Sequence, residues 1–263
     1  MKADMHIHSS WSDGSLPIAL IVKIAKRRGL NAISITDHDT LAGQEEAREE
    51  GWKQGLRIIP GIEISAFDPA NGKKVHILGY EIRDSLSVNR ACLPYLKERG
   101  QANLKAIDKI RRADYLIDRA DMRAYTGKQG ILYRQHIMHA LADRGYTETI
   151  YGALYTRLFG PQGLATTKSS YMPVREALRL IQDCGGKAVL AHPFQYDSLP
   201  LLPKLVEWGL AGIEYRHPTQ TPHRIQQVQE KAGRYGLFLT GGSDFHGLYS
   251  EKPVSIGDVV CEL

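Results

Sequence analysis

The sequence is poor in cysteine. Its three, Cys92, Cys184 and Cys261, lie far apart, and no two form a CxxC pair. That argues against a cysteine-based zinc site and a disulfide framework, and reduced thiols in a cytoplasmic protein are expected. Long apolar runs are also missing. None approaches the ~18 residues that a membrane-spanning helix needs, so no membrane is expected among the partners. The first residues lack the apolar stretch of a secretory leader, and chemically useful side chains begin at Asp4. There is no GxxxxGK[ST] loop, no GxGxxG between a strand and a helix, and no GxSxG elbow. Nothing therefore supports a P-loop, a dinucleotide site or a nucleophilic serine.

Histidine and acid are where the chemistry lies. DMHIHS sets Asp4, His6 and His8 at alternate positions, and WSDG adds Asp13. TDHDT brings Asp37 and His38, PGIEIS brings Glu63, and VHILGY brings His76. AHP brings His192, and GSDFHG brings Asp244 and His246. A lone Asp before a helix is usually a cap, and a lone His in an apolar strand is usually a satisfied core residue. Here six of the ten histidines share one kind of position with several acids, and a separate structural excuse for each is hard to sustain.

That shared position is the end of a strand. Lys2–His6, AISIT at 32–36, RIIPGIEI at 57–64 and VHILGY at 75–80 read as strands. Pro17–Arg28 and Leu41–Gln54 read as helices between them. After residue 172 the alternation resumes, with strands at 187–190, 212–215 and 237–240 and helices at 174–184, 199–208 and 222–235. Strands separated by helices imply a parallel sheet, and about seven of them a closed or nearly closed α/β barrel. In such barrels the C-terminal strand ends converge on one mouth, where ligands distant in sequence would meet.

Residues 88–170 break the rhythm. They read as helical and hold 14 Lys and Arg against 7 Asp and Glu, although the whole chain is only +5. The expected organisation is a barrel from 1–87 and 171–263 with an inserted helical, basic subdomain at 88–170. Such a charge excess is either a solvated face or a surface that meets phosphates.

The donor types suit divalent zinc, manganese or iron, since calcium and magnesium favour oxygen-only shells. Nine donors exceed the ~4 of a single zinc ion, so two to three clustered ions are expected. Three divalent ions against three carboxylates leave the pocket net positive, which favours a polyanionic substrate.

In type, spacing and order these motifs resemble the PHP (polymerase and histidinol phosphatase) family of metal-dependent phosphoesterases. The resemblance implies a distorted (β/α)7 barrel and a trinuclear centre. One ion would take His6, His8 and Asp244, a second His76 and His192, with Glu63 bridging them. The third would take Asp13, His38 and His246. It implies hydrolysis by metal-activated water without a side-chain nucleophile. LYRQHIMHAL and TKSSYMP resemble the subgroup that acts on nucleotides and short RNA ends, through a helical insertion over the mouth. That implies Arg134, His136, Lys168 and Tyr171 as substrate contacts, with His217 a further candidate after its strand. Asp4 and Asp37 are expected to orient ligand histidines by accepting their free ring N–H. The expected substrate is a nucleoside 3′,5′-bisphosphate or a 5′-phosphorylated RNA, and no obligate protein partner is inferred. The alternatives are a histidinol-phosphate phosphatase of the same family and an amidohydrolase-type metal hydrolase. The latter typically needs a metal-bridging lysine, and none is suitably placed.

Overall fold

The computed structural model describes residues 1–263 and opens with β1 (Lys2–Ile7), buried after its first residue. Apolar residues at helical spacing, Ile18, Ile21, Val22 and Ala25, form the buried face of α1 (Ile18–Arg27). Pro17 precedes it in extended backbone, and Gly29 follows at φ +72°. β2 (Ala32–Ile35) and α2 (Gln44–Gln54) come next, and α2 is closed by Gly55 in the left-handed region. The strand expected over 57–64 is instead two, β3 (Arg57–Ile58) and β4 (Gly61–Phe67). Pro60 lies in the gap, and a residue with no N–H cannot donate to a ladder.

β5 (Lys74–Tyr80) departs from the expected parallel order, for it runs antiparallel to β4. Only residues 68–73 separate the two strands, too few for a helical crossover, so they form a hairpin. After β5 come α3 (Ser85–Arg111), α4 (Arg134–Asp143) and α5 (Ala153–Phe159). The chain then returns through β6 (Met172–Pro173), α6 (Val174–Asp183), β7 (Lys187–Leu190) and α7 (Leu202–Glu207). It finishes with β8 (Gly212–Arg216), α8 (Pro222–Tyr235), β9 (Phe238–Gly241) and β10 (Cys261–Glu262).

The result is an α/β fold with two mixed sheets. One has the order β10-β1-β2-β3, the other β6-β4-β5-β7-β8-β9. There is no continuous closed ladder. The two sheets meet through single bridges, Ile7 with Phe245 and His38 with Glu63, and both bridges lie beside candidate ligands. No helix is long and apolar enough to cross a membrane.

Residues 106–165 hold an apolar cluster of their own, from Ala106, Ile107 and Ile110 of α3 to Leu158 and Phe159 of α5. Earlier on α3, Val88 and Cys92 pack into the cluster of β4, β5 and α6. The 27-residue α3 therefore belongs to both cores.

Candidate metal centre

His6 is on β1 and His8 directly follows its last residue, and their rings lie 5.2 Å apart, centroid to centroid. Asp13 follows in the next turn, and His38 lies just past β2. Glu63 is on β4, His192 just past β7, and Asp244 and His246 just past β9. His76 sits near the N-terminal end of β5. The reversal of β5 brings that end to the rim where β4 and β7 finish, since Ser65 pairs with His76 and Leu190 with Ile77.

These side chains converge. Three overlapping groups have ligand atoms within 4.8 Å of one another: His8, Asp13, His38, His246; His6, His8, Glu63, Asp244; and His38, Glu63, His76. Glu63 is the hub. Its Oε1 lies 2.8 Å from His76 Nδ1 and 2.8 Å from His192 Nε2. Its Oε2 lies 3.2 Å from His6 Nε2, 3.1 Å from His8 Nε2 and 3.4 Å from His38 Nδ1. Asp244 Oδ1 faces the same two rings, at 3.3 Å from His6 and 3.2 Å from His8. Asp13 carboxylate oxygens lie 3.4 Å from His246 and 3.9 Å from His38. His192 and Asp244 adopt positive φ, +21° and +48°. Such backbone is costly for residues with a Cβ and persists where the surroundings enforce it, as at functional sites.

The supporting shell differs from expectation. Asp4 accepts from the backbone of Ser243 (2.9 Å) and Gly257 (2.8 Å), so it ties the β9 loop and the C-terminal segment to β1. Asp37 accepts from Ser9 N (2.8 Å), Ser9 Oγ (2.6 Å) and Ser12 Oγ (2.6 Å). Both carboxylates are consumed by loop anchoring and neither takes an imidazole N–H. The carboxylate that does so is Glu214 of β8, fully buried, 3.0 Å from His6 Nδ1 and 2.7 Å from the His192 amide. Its signal in the sequence is an acid inside the apolar strand GIEYR, easily passed over without a histidine beside it.

Burial alone would neutralise these groups, but they hold each other charged. Despite desolvation, His8 is pushed up to about 10 by Asp244, Glu63 and Asp13, and His6 stands well above the ordinary histidine value beside Asp244, Glu63 and Glu214. Desolvation would raise the carboxyls of Asp13, Glu63 and Asp244, yet the surrounding imidazoles hold all three well below their usual range. His38 and His76 go the other way. Burial and neighbouring imidazoles outweigh Glu63, and both fall below the ordinary value. Several buried side-chain nitrogen and oxygen atoms have no hydrogen-bond partner: His6 Nε2, both nitrogens of His8, His192 Nδ1 and Asp244 Oδ1. Orphaned imidazole and carboxylate atoms aimed at one another fit divalent transition-metal ions.

The centre lies at the wall of a cavity of about 590 Å³, which also includes Lys74, Arg99, Arg134, Tyr171, Tyr196 and His217. The Arg134 guanidinium lies 5.3 Å from the Phe159 ring centroid. His217 Nε2 is 3.1 Å from Asp244 Oδ2. Two expected contacts are placed elsewhere. His136 is buried under the start of α4, where its Nδ1 accepts the Tyr133 N–H at 3.2 Å and desolvation lowers its pKa to about 4. Lys168 is exposed, and its neighbours Thr167 and Ser169 line the cavity instead. Gln135 is the insertion residue that reaches the centre, donating to Asp13 Oδ2 at 3.1 Å.

Comparison with known proteins agrees with this geometry. A family model, the PHP domain, matches residues 4–189. The phosphoribosyl 1,2-cyclic phosphate 1,2-diphosphodiesterase of Eggerthella lenta is 40% identical, over 96% of this chain and 97% of its own. The 5′-3′ exoribonuclease of Haemophilus influenzae is 30% identical, over 93% and 90%. A Bifidobacterium adolescentis structure, described as a candidate metal-dependent phosphoesterase, superposes with a TM-score of 0.87 at 27% identity, covering 97% of this chain and 91% of that one. A histidine-rich centre built in the order of the sequence motifs, a family match over most of the chain and full-length relatives lead to one assignment: the chain belongs to the PHP domain family of phosphoesterases.

Proposed function

We propose that this phosphoesterase hydrolyses a phosphate ester of a ribose that carries a second phosphate. Phosphoribosyl cyclic phosphate, a nucleoside 3′,5′-bisphosphate and a 5′-phosphorylated RNA end all meet that description. The observation that carries the proposal is the convergence of six imidazoles and three carboxylates beside one cavity that Lys74, Arg99 and Arg134 also line. The E. lenta relative acts on a phosphorylated ribose, which puts the cyclic phosphate first among substrates to try.

His6, His8 and Asp244 would hold one ion, His76 and His192 a second, with Glu63 between them, and Asp13, His38 and His246 a third. Manganese, iron and zinc all suit these donors. Bound ions would supply positive charge for the phosphate oxygens and activate a water as nucleophile. The protein's own part is geometric. Glu214 fixes the His6 ring, Gln135 steadies Asp13, and Arg134 and Tyr171 face the substrate across the cavity, with His217 beside Asp244. His136 and Lys168 would act only through the fold of the insertion. We also infer that β1, β2, β4, β5, β7, β8 and β9 form one distorted seven-stranded barrel. The two bridges between sheets support this. The segment 88–170 would be its lid, supported by the separate cluster of 106–165.

The test is phosphate release from phosphoribosyl 1,2-cyclic phosphate, adenosine 3′,5′-bisphosphate, 5′-phosphorylated RNA and histidinol phosphate, with manganese, iron and zinc each supplied. Turnover of at least one doubly phosphorylated ribose well above histidinol phosphate is expected. Equal turnover of all four, or a preference for histidinol phosphate, would reject the substrate class.

A further inference from the structure

Lys74 opens β5 two residues ahead of His76, so both side chains leave the same face of the strand toward the cavity. The two lysines of KKVHILGY behave differently. Lys73 is paired with Asp197, whereas Lys74 has no carboxylate partner. Its ammonium lies 5.3 Å from the ring centroid of Tyr171 and 5.6 Å from that of Tyr196. Tyr196 in turn covers the rings of His76 (4.7 Å) and His192 (5.6 Å). Lys74 therefore stands one aromatic ring away from the metal centre.

A second cation approaches from the insertion. Arg99 of α3 is largely buried, with its guanidinium 5.3 Å from the Tyr133 centroid and 5.9 Å from that of Tyr171. One of its terminal nitrogens binds Asp39 at 2.7 Å. A guanidinium has five N–H donors in a planar fork, so this pair leaves donors over for another acceptor. Tyr171 is thus bracketed by Lys74 from the barrel side and Arg99 from the lid side. Burial would raise its phenol pKa, yet these two cations bring it below the ordinary tyrosine value. Arg134, by comparison, rests on Phe159 within the insertion.

We propose that Lys74, Arg99 and Tyr171 form an anion site in the cavity wall that receives the non-reacting phosphate of a doubly phosphorylated ribose. The inference rests on the substrate class proposed above. It explains how a chain whose Lys168 faces solvent can still bind a second phosphate. The three groups supply an ammonium, the free part of a guanidinium fork and a phenol hydroxyl, all donors suited to phosphate oxygens. Lys74 is fixed on a core strand and Arg99 by Asp39, so the site is preorganised. Because it spans β5 and α3, it also ties ligand binding to the seating of the insertion.

The experiment compares kcat/KM for substrate pairs that differ by one phosphate: ribose 1,2-cyclic phosphate with and without the 5-phosphate, and adenosine 3′,5′-bisphosphate against adenosine 3′-monophosphate. In wild type the doubly phosphorylated member of at least one pair is preferred. Lys74→Met keeps the apolar stem over Tyr171 but loses the charge, and should cut that preference about ten- to hundredfold. Lys74→Arg should restore most of it, and Tyr171→Phe should lower it less. Elemental analysis should find the same metal content in all of them. A preference that survives in both Lys74→Met and Tyr171→Phe would overturn the site while leaving the substrate class intact. A wild type indifferent to the second phosphate in both pairs would overturn the two together.

Discussion

At the scale of single residues, the two buried glutamates of the centre make different predictions. Glu63 faces five imidazoles from one position, and Glu214 faces one ring and one amide. Replacing Glu214 by Gln keeps the shape but weakens its hold on His6. The expected loss is ten- to hundredfold in metal affinity, the usual effect of removing an outer partner of a ligand. Glu63→Gln should lose more metal and more turnover than Glu214→Gln, with the circular dichroism of a folded protein retained, because Ile62 and Ile64 still pack. Metal titration and turnover on the two variants check the order, and a reversed order would remove Glu63 from the bridging position. A third residue gives a pH prediction. His136 has a folded pKa of about 4 against 6.5 in the unfolded chain, because burial disfavours its cation. A depressed folded pKa contributes stability that is complete above 6.5 and is lost as pH falls toward 4. The loss should be on the order of 2–3 kcal/mol. His136→Asn, which keeps an acceptor for the Tyr133 N–H, should flatten that part of the stability profile. An unchanged acid limb in urea titrations from pH 7 to 4 would count against it.

At the scale of elements, what sequence conveys and what it does not can be traced to particular places. The candidate ligand positions are legible because their residue types are out of place where they stand: His38, His192, Asp244 and His246 just past strands, Glu63 and His76 inside apolar ones. α1 is legible to within one residue at each end because its apolar spacing, Pro17 and Gly29 agree. The direction of β5 was also available, since six residues cannot carry a crossover, but the strand–helix rhythm around it hid the exception. The roles of Asp4 and Asp37 are not legible. Their partners include Ser243 and Gly257, brought near by the closing of the chain and not by local spacing. His136 looks like a substrate residue in the string and proves to be a helix-start acceptor. The sequence suggests an inserted segment starting at residue 88, but α3 runs from Ser85 to Arg111 and carries one core into the other. That continuity makes the Arg99–Asp39 pair a strut between α3 and the loop that holds His38. With side chains only 12% and 3% exposed, breaking the pair from either side should cost about 3–5 kcal/mol. Arg99→Met and Asp39→Asn together should cost clearly less than the sum of the singles in a denaturation cycle. Additive losses would mean that the two residues act on separate parts of the fold.

At the scale of the whole molecule, the question is whether residues 88–170 and the rest of the chain unfold as one. Several contacts stitch them beyond α3. Lys128 binds Glu46, Gln129 reaches Thr40, and Gln135 reaches Asp13. Glu46 lies on α2, Thr40 in the loop that carries His38, and Asp13 in the loop after β1. The three tryptophans, Trp11, Trp52 and Trp208, all lie outside residues 88–170. Tryptophan fluorescence therefore follows the rest of the chain, while far-ultraviolet circular dichroism also follows α3, α4 and α5. With metal bound, both signals should melt in one transition. Chelation removes ligands that bind only the folded state, a loss of about 4 kcal/mol for each ion present at a thousandfold its Kd. For a chain of this size that corresponds to a fall in Tm on the order of 10 °C. The decisive observation is that both signals should fall together, because the insertion is anchored on the loops that the ions organise. If chelation lowered the fluorescence transition but left a separate helical transition in place, the insertion would be an independent unit resting on the body. Its links to Asp13, Thr40 and Glu46 would then carry little of the stability of the centre.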